Sequence, residues 1–130
     1  MKSALAALAL CLAAAPALAD GTPSSVDFTS ADWQLVSLDG TALKAPVTIN
    51  LGEPGKVHGQ APCNRYFGGI ETDGMSVKFG GLGATMMACE YLEDEHAFLT
   101  ALGGAEMVMR DGDKLVFSGG GHELIFALPQ

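Results

Sequence analysis

Residues 59 to 69 read GQAPCNRYFGG and place Cys63 two positions before Arg65. A neighbouring positive charge lowers a thiol's pKa and favours the nucleophilic thiolate. A thiol enzyme also needs a base, most often histidine, and His58 lies a few positions upstream; the other histidines are His96 and His122. Against this, glycine, proline and asparagine are turn residues, and Cys63 has a second cysteine downstream, Cys89. Disulfide, free reactive thiol and metal ligand therefore compete for Cys63. The turn reading lets Asn64 hydrogen-bond its own backbone and leaves Arg65 to pair with a carboxylate or to meet a partner. Asn64, Arg65 and Tyr66 form the candidate binding surface.

Other residues with chemical potential are weaker. Met86, Met87, Met107 and Met109 are soft donors of the kind exported copper proteins use, but methionine at alternate strand positions is expected to fill core. Glu90, Glu93, Asp94 and Glu95 lack the loop spacing of calcium ligands and read as a solvated helix face. No HExxH, GxxxxGK, paired metal CxxC or Ser-His-Asp order occurs. No catalytic residue, metal or other cofactor is expected.

The chain ends and the charge set the compartment. Residues 1–19 carry Lys2, an uncharged apolar run and the small residues Ala17 and Ala19, the pattern of a secretory signal peptide cut after Ala19. The run is too short to span a membrane, and Leu10 before Cys11 argues against a lipid anchor there. Removing 1–19 takes away Lys2 and Cys11, leaving a net charge of 6 − 15 = −9. Nucleic acid and anionic lipid demand clustered Lys and Arg, so neither is an expected partner. What remains is about 110 residues, one domain with a single modest core. It is expected to be a periplasmic or secreted monomer without a transmembrane segment. In an oxidising compartment the default for an even pair of cysteines is a bridge, and Cys63–Cys89 is the expected disulfide.

Elements that would position these residues can be read from periodicity. Residues 20–31, DGTPSSVDFTSA, read as a flexible lead-in to a domain over residues 32–130. DWQLVSL, closed by Asp39-Gly40, reads as a strand. VTINL alternates Val47, Ile49 and Leu51 with Thr48 and Asn50, a half-buried strand. KVHGQ, two strands meeting at Thr72-Asp73-Gly74, and AEMVMR, DGDKLVFS and HELIFAL complete the β set. GGLGATMMACE reads as irregular. From Glu90 the period becomes helical, with Tyr91, Leu92, Phe98, Leu99 and Leu102 at helical spacing and Glu93, Asp94 and His96 facing away. Acidic first turns and Gly103-Gly104 suit the helix dipole and a left-handed C-terminal residue. The expected fold is mainly β (α+β): about eight short strands in one small, strongly curved, barrel-like antiparallel sheet packed on one helix.

Trp33-Gln34-Leu35, Gly59, Cys63-Asn64-Arg65-Tyr66, Gly68, Thr85-Met86-Met87-Ala88-Cys89, Glu95, Phe98, Leu99, Gly112, Leu115 and Phe117 come in an order and spacing that resemble the META domain family, the HslJ-type heat-shock proteins of bacterial envelopes. The resemblance runs from about Asp32 to Leu128, with Pro62 standing where the family more often has glycine. It implies a β-rich, barrel-like envelope protein linked to stress tolerance, in some members to antibiotic resistance or virulence, with no established catalytic activity. The expected function is accordingly non-enzymatic binding of an unknown protein or small-molecule partner in the envelope. A periplasmic inhibitor or small-ligand-binding barrel is the alternative, and a Cys63-dependent thiol enzyme with His58 is the remaining one.

Overall fold

A computed structural model describes residues 26–129; the expected signal peptide lies outside them. Eight strands follow one another round a closed antiparallel barrel: β1 (Asp32–Leu38), β2 (Thr48–Asn50), β3 (Lys56–Gln60), β4 (Arg65–Asp73), β5 (Ser76–Ala84), β6 (Met107–Asp111), β7 (Lys114–Gly119) and β8 (His122–Ala127). The ring closes where β8 pairs with β1. One helix, α1 (Leu92–Gly103), interrupts the series between β5 and β6. The expected mainly β fold, with about eight strands and one helix, is the one observed.

Turn chemistry sets the hairpins. Gly119 pairs with His122, so Gly120-Gly121 is a two-residue loop, and both glycines have positive φ, 64° and 86°. Only such conformations match the strands' twist in a loop that short, and they favour glycine. Asp39 takes φ 53° beside Gly40, and its carboxylate accepts the Glu123 N–H at 2.8 Å and meets His122 Nδ1 at 2.7 Å.

Inward residues fill the barrel. Trp33, Ile49, Tyr66, Val108, Leu115, Phe117, Leu124 and Phe126 are all fully buried. From α1, Phe98, Ala101 and Leu102 enter the same core, and Phe98 meets Tyr66 and Phe126 edge to face at 5.4 and 6.3 Å. The helix is held by what its apolar face buries, because Tyr91 at its N-cap makes no side-chain cap bond. Its end departs from expectation: Gly104 has φ −96°, not a left-handed angle.

Two other expectations change. GGLGA is not irregular, since β5 runs through it to Ala84, with a register shift opposite Phe67–Gly69 and Gly81 at φ 61°. Met107 and Met109 do not fill core; they alternate with buried Val108 and face outward, about half exposed. Among the described residues, Val26, Asp27 and Phe28 touch the barrel ahead of β1. Val26 and Phe28 pack against the core, Trp33 Nε1 donates to the Phe28 carbonyl at 2.7 Å, and Arg110 donates to the Asp27 carbonyl at 2.6 Å.

Candidate functional site

The CNRY segment is the corner from β3 into β4. The Ala61 N–H donates to the Asn64 carbonyl at 2.8 Å, which closes the corner and releases the chain into β4 at Arg65. From there strand alternation decides the side chains: Tyr66 points inward and is buried, while Arg65 and Phe67 are exposed. Of the three residues expected to form a binding surface, only Arg65 therefore reaches solvent. Tyr66 donates its hydroxyl to the Thr48 carbonyl at 2.7 Å, and burial raises its phenol pKa well above the ordinary tyrosine value.

Asn64 is buried and every polar position of its amide is used. Its Nδ2 donates to the Met87 carbonyl at 2.9 Å and to Glu95 Oε2 at 2.6 Å. Its Oδ1 accepts the Thr85 hydroxyl at 2.9 Å and the Met87 N–H at 2.6 Å. The partner that completes this clamp is Glu95, expected to be on a solvated face and in fact 3 % exposed. Glu95 Oε1 accepts the N–H groups of Cys63 at 2.9 Å and of Asn64 at 2.7 Å. The signal was present in the sequence: Glu95, Phe98 and Leu102 lie at i, i+3 and i+7, one stripe of a helix, so a residue in line with two core residues is carried inward.

Cys63 and Cys89 are joined by a disulfide, with Cα atoms 5.7 Å apart. Bridged cysteines offer no thiolate, which removes the basis of the thiol-enzyme reading in this state. His58 sits on β3 opposite Asn50 and Phe67, exposed at the outer face. Among the described residues no group of three or more His, Cys, Asp or Glu could hold a metal ion. Bridge and clamp together tie three segments, the 61–66 corner, the 85–89 loop and the start of α1.

Two concavities adjoin this knot. A cleft of about 430 Å³ lies between the 85–89 loop and α1, lined by Met86, Met87, Leu92, His96 and Leu99 with Asn64 and Glu95 at its base. Met86 is 96 % exposed and Met87 65 %, so the loop presents two flexible apolar side chains to solvent. On the outer barrel face, a groove of about 620 Å³ is lined by Asp32, Gln60, His58, Arg65 and Phe67. The barrel interior is filled by its aromatic core among the described residues.

Comparison with known proteins matches residues 26–130 to the family model described as META domain. A protein from Burkholderia xenovorans, solved by NMR, is similar: 26 % identical, with 92 % of this chain and 99 % of that one covered, at a TM-score of 0.63. The crystal structure of a DUF4847 family protein from Bacteroides vulgatus ATCC 8482 is similar in fold, at 18 % identity and a TM-score of 0.60, covering 77 % of this chain and 93 % of that one. No curated protein matches the chain.

Proposed function

Because the chain belongs to the META domain family, we propose that it is an exported, disulfide-stapled binding domain of the bacterial envelope that contributes to stress tolerance without catalysing a reaction. One observation carries this reading. Apart from the exposed Arg65 guanidinium, the side-chain polar groups of the CNRY and TMMAC segments hold the fold, while Met86 and Met87 stand exposed beside an apolar cleft. Catalysis needs a group free to accept or donate at a substrate, and the Asn64–Glu95 clamp and the bridged cysteines are already engaged with one another. An apolar cleft with a few polar groups at its base is instead the usual form of a binding site. The disulfide suits an oxidising compartment, which supports the export part of this reading. No helix among the described residues is long and apolar enough to cross a membrane.

Two measurements test it. The intact mass of the protein from the envelope fraction should begin at Asp20, with alkylation only after reduction; two thiols alkylated without reduction would remove the staple. A photoreactive methionine analogue at position 86 or 87 should give a discrete adduct in living cells, absent when the same group is placed at Lys78 on the barrel wall. Equal labelling from both positions would count against a binding role for the cleft.

A further inference from the structure

Strand β5 is paired along its whole length on one edge only. Toward β4 it is paired from Ser76 to Ala84, with one register shift between Gly80 and Gly83. Toward β6 it has the single pair Ser76↔Met107, flanked by bonds from Val77 N–H to the Glu106 carbonyl and from Val108 N–H to the Met75 carbonyl. Beyond Val77, no backbone hydrogen bond among the described residues links β5 to β6 or to α1.

Register identifies the bare groups. Thr85 N–H donates to the Arg65 carbonyl, and in an antiparallel strand the polar groups of alternate residues face the same side. Those of Gly83 and Thr85 therefore face β4 and those of Ala84 face away, while Leu82 lies in the register shift opposite Gly68. Neither Leu82 nor Ala84 has a backbone hydrogen bond to β6 or α1 among the described residues.

A groove runs along this edge with α1 as its other wall. Near the strand it holds about 400 Å³, lined by Gly80, Leu82, Ala84, Leu99, Thr100 and Gly103. It shares Ala84, Leu99 and Thr100 with the cleft beneath Met86 and Met87, so the two are continuous. No Lys or Arg lines either part, and the helix beside them opens with Glu93, Asp94 and Glu95, the first two free of the clamp.

We propose that this groove takes an extended peptide segment of another protein, added as a further strand along Leu82–Ala84. Its alternate apolar side chains enter the cleft under Met86 and Met87, and a basic residue lies toward Glu93 and Asp94. A row of bare donors and acceptors selects a strand over a helix or a small apolar molecule, and adding a strand to a sheet edge is a general mode of peptide recognition. A second copy of this chain is the poorer occupant, because pairing edge to edge brings two acidic helix starts together. The inference rests on the binding-domain reading and gives that reading its site.

The test titrates the purified, oxidised, isotope-labelled protein with short synthetic peptides that alternate Leu or Val with Lys. Amide signals of Leu82, Ala84, Leu99 and Thr100 should shift, and the Leu82 and Ala84 N–H groups should gain exchange protection. Methylating every second peptide nitrogen should abolish binding in one phase and spare it in the other. Ala84→Pro removes a bare donor without touching the β4 ladder and should weaken binding about tenfold or more. Thr100→Trp, which fills the groove from the helix, should do the same and covers the case in which the proline variant fails to fold. No shifts at millimolar peptide, or protection of the edge by self-association, would overturn the proposal. Shifts confined to His58, Arg65 and Phe67 would overturn this site while leaving a binding domain, and the cross-link at Met86 reports on that broader reading independently.

Discussion

Removing the Glu95 carboxylate should unlock the knot, and the structure sets the scale. In Glu95→Ala three donors lose their acceptor: the N–H groups of Cys63 and Asn64 and the Asn64 Nδ2. A buried donor left unpaired costs about 1–3 kcal/mol. Cys63 is only half-buried and can recruit water, so the total should be about 3–5 kcal/mol, a large share of the roughly 5–15 kcal/mol a small domain has. Glu95→Gln should cost less, about 2 kcal/mol, since one oxygen still serves both backbone donors while its new amide opposes the Asn64 Nδ2. Asn64 cannot turn over to relieve this, because its oxygen already receives the Met87 N–H. Trp33, the chain's single tryptophan and fully buried, reports unfolding in urea by its fluorescence. A Glu95→Ala midpoint implying less than about 1 kcal/mol of loss would refute the clamp as a stabilising unit.

Reduction of the bridge, or Cys63→Ser with Cys89→Ser, should lower stability by about 3–4 kcal/mol from the freed entropy of the loop it closes; an unchanged urea midpoint with and without reductant would contradict this. The Asp39 carboxyl should titrate below the ordinary carboxylate value, held down first by its hydrogen bond to His122 and then by the Glu123 N–H. A pKa depressed on folding contributes stability that is present above the unfolded value and is lost as pH falls through the folded one. In His122→Ala the Asp39 signal, followed by carboxyl NMR, should move back up; no movement would detach His122 from the turn.

Alternation and turn residues made the strands legible in the sequence, while the choice of face was hidden where both phases carry apolar residues. In AEMVMR, Val108 and the two methionines are all apolar, and only the neighbouring strands decide that Val108 goes inward. Gly80–Ala84 was opaque for the opposite reason: glycines carry no side chain to alternate, so a strand of nearly bare backbone gives no period. Tyr66 and Asn64 looked like surface residues because they flank an arginine in a turn-rich stretch, but β4 begins at Arg65 and its pleat buries Tyr66. The charge of Glu95 points to a solvated face. Its spacing from Phe98 and Leu102 says inward, and three donors waiting in a distant corner make an inward carboxylate tolerable.

That carboxylate also bears on binding. The 85–89 loop forms one wall of the cleft, and Asn64 holds it through both polar groups of Met87. Binding to a wall already fixed avoids the entropy of ordering it. Glu95→Gln, which should remain folded, removes a support of Asn64 at the base of the cleft while keeping the side chain's size. Its affinity for the alternating Leu-Lys peptides should fall about three- to tenfold, mostly through faster dissociation, with the same amides still shifting. If the variant binds as tightly as the parent while its loop amides exchange faster, the clamp serves stability alone and the cleft is not prepared by it.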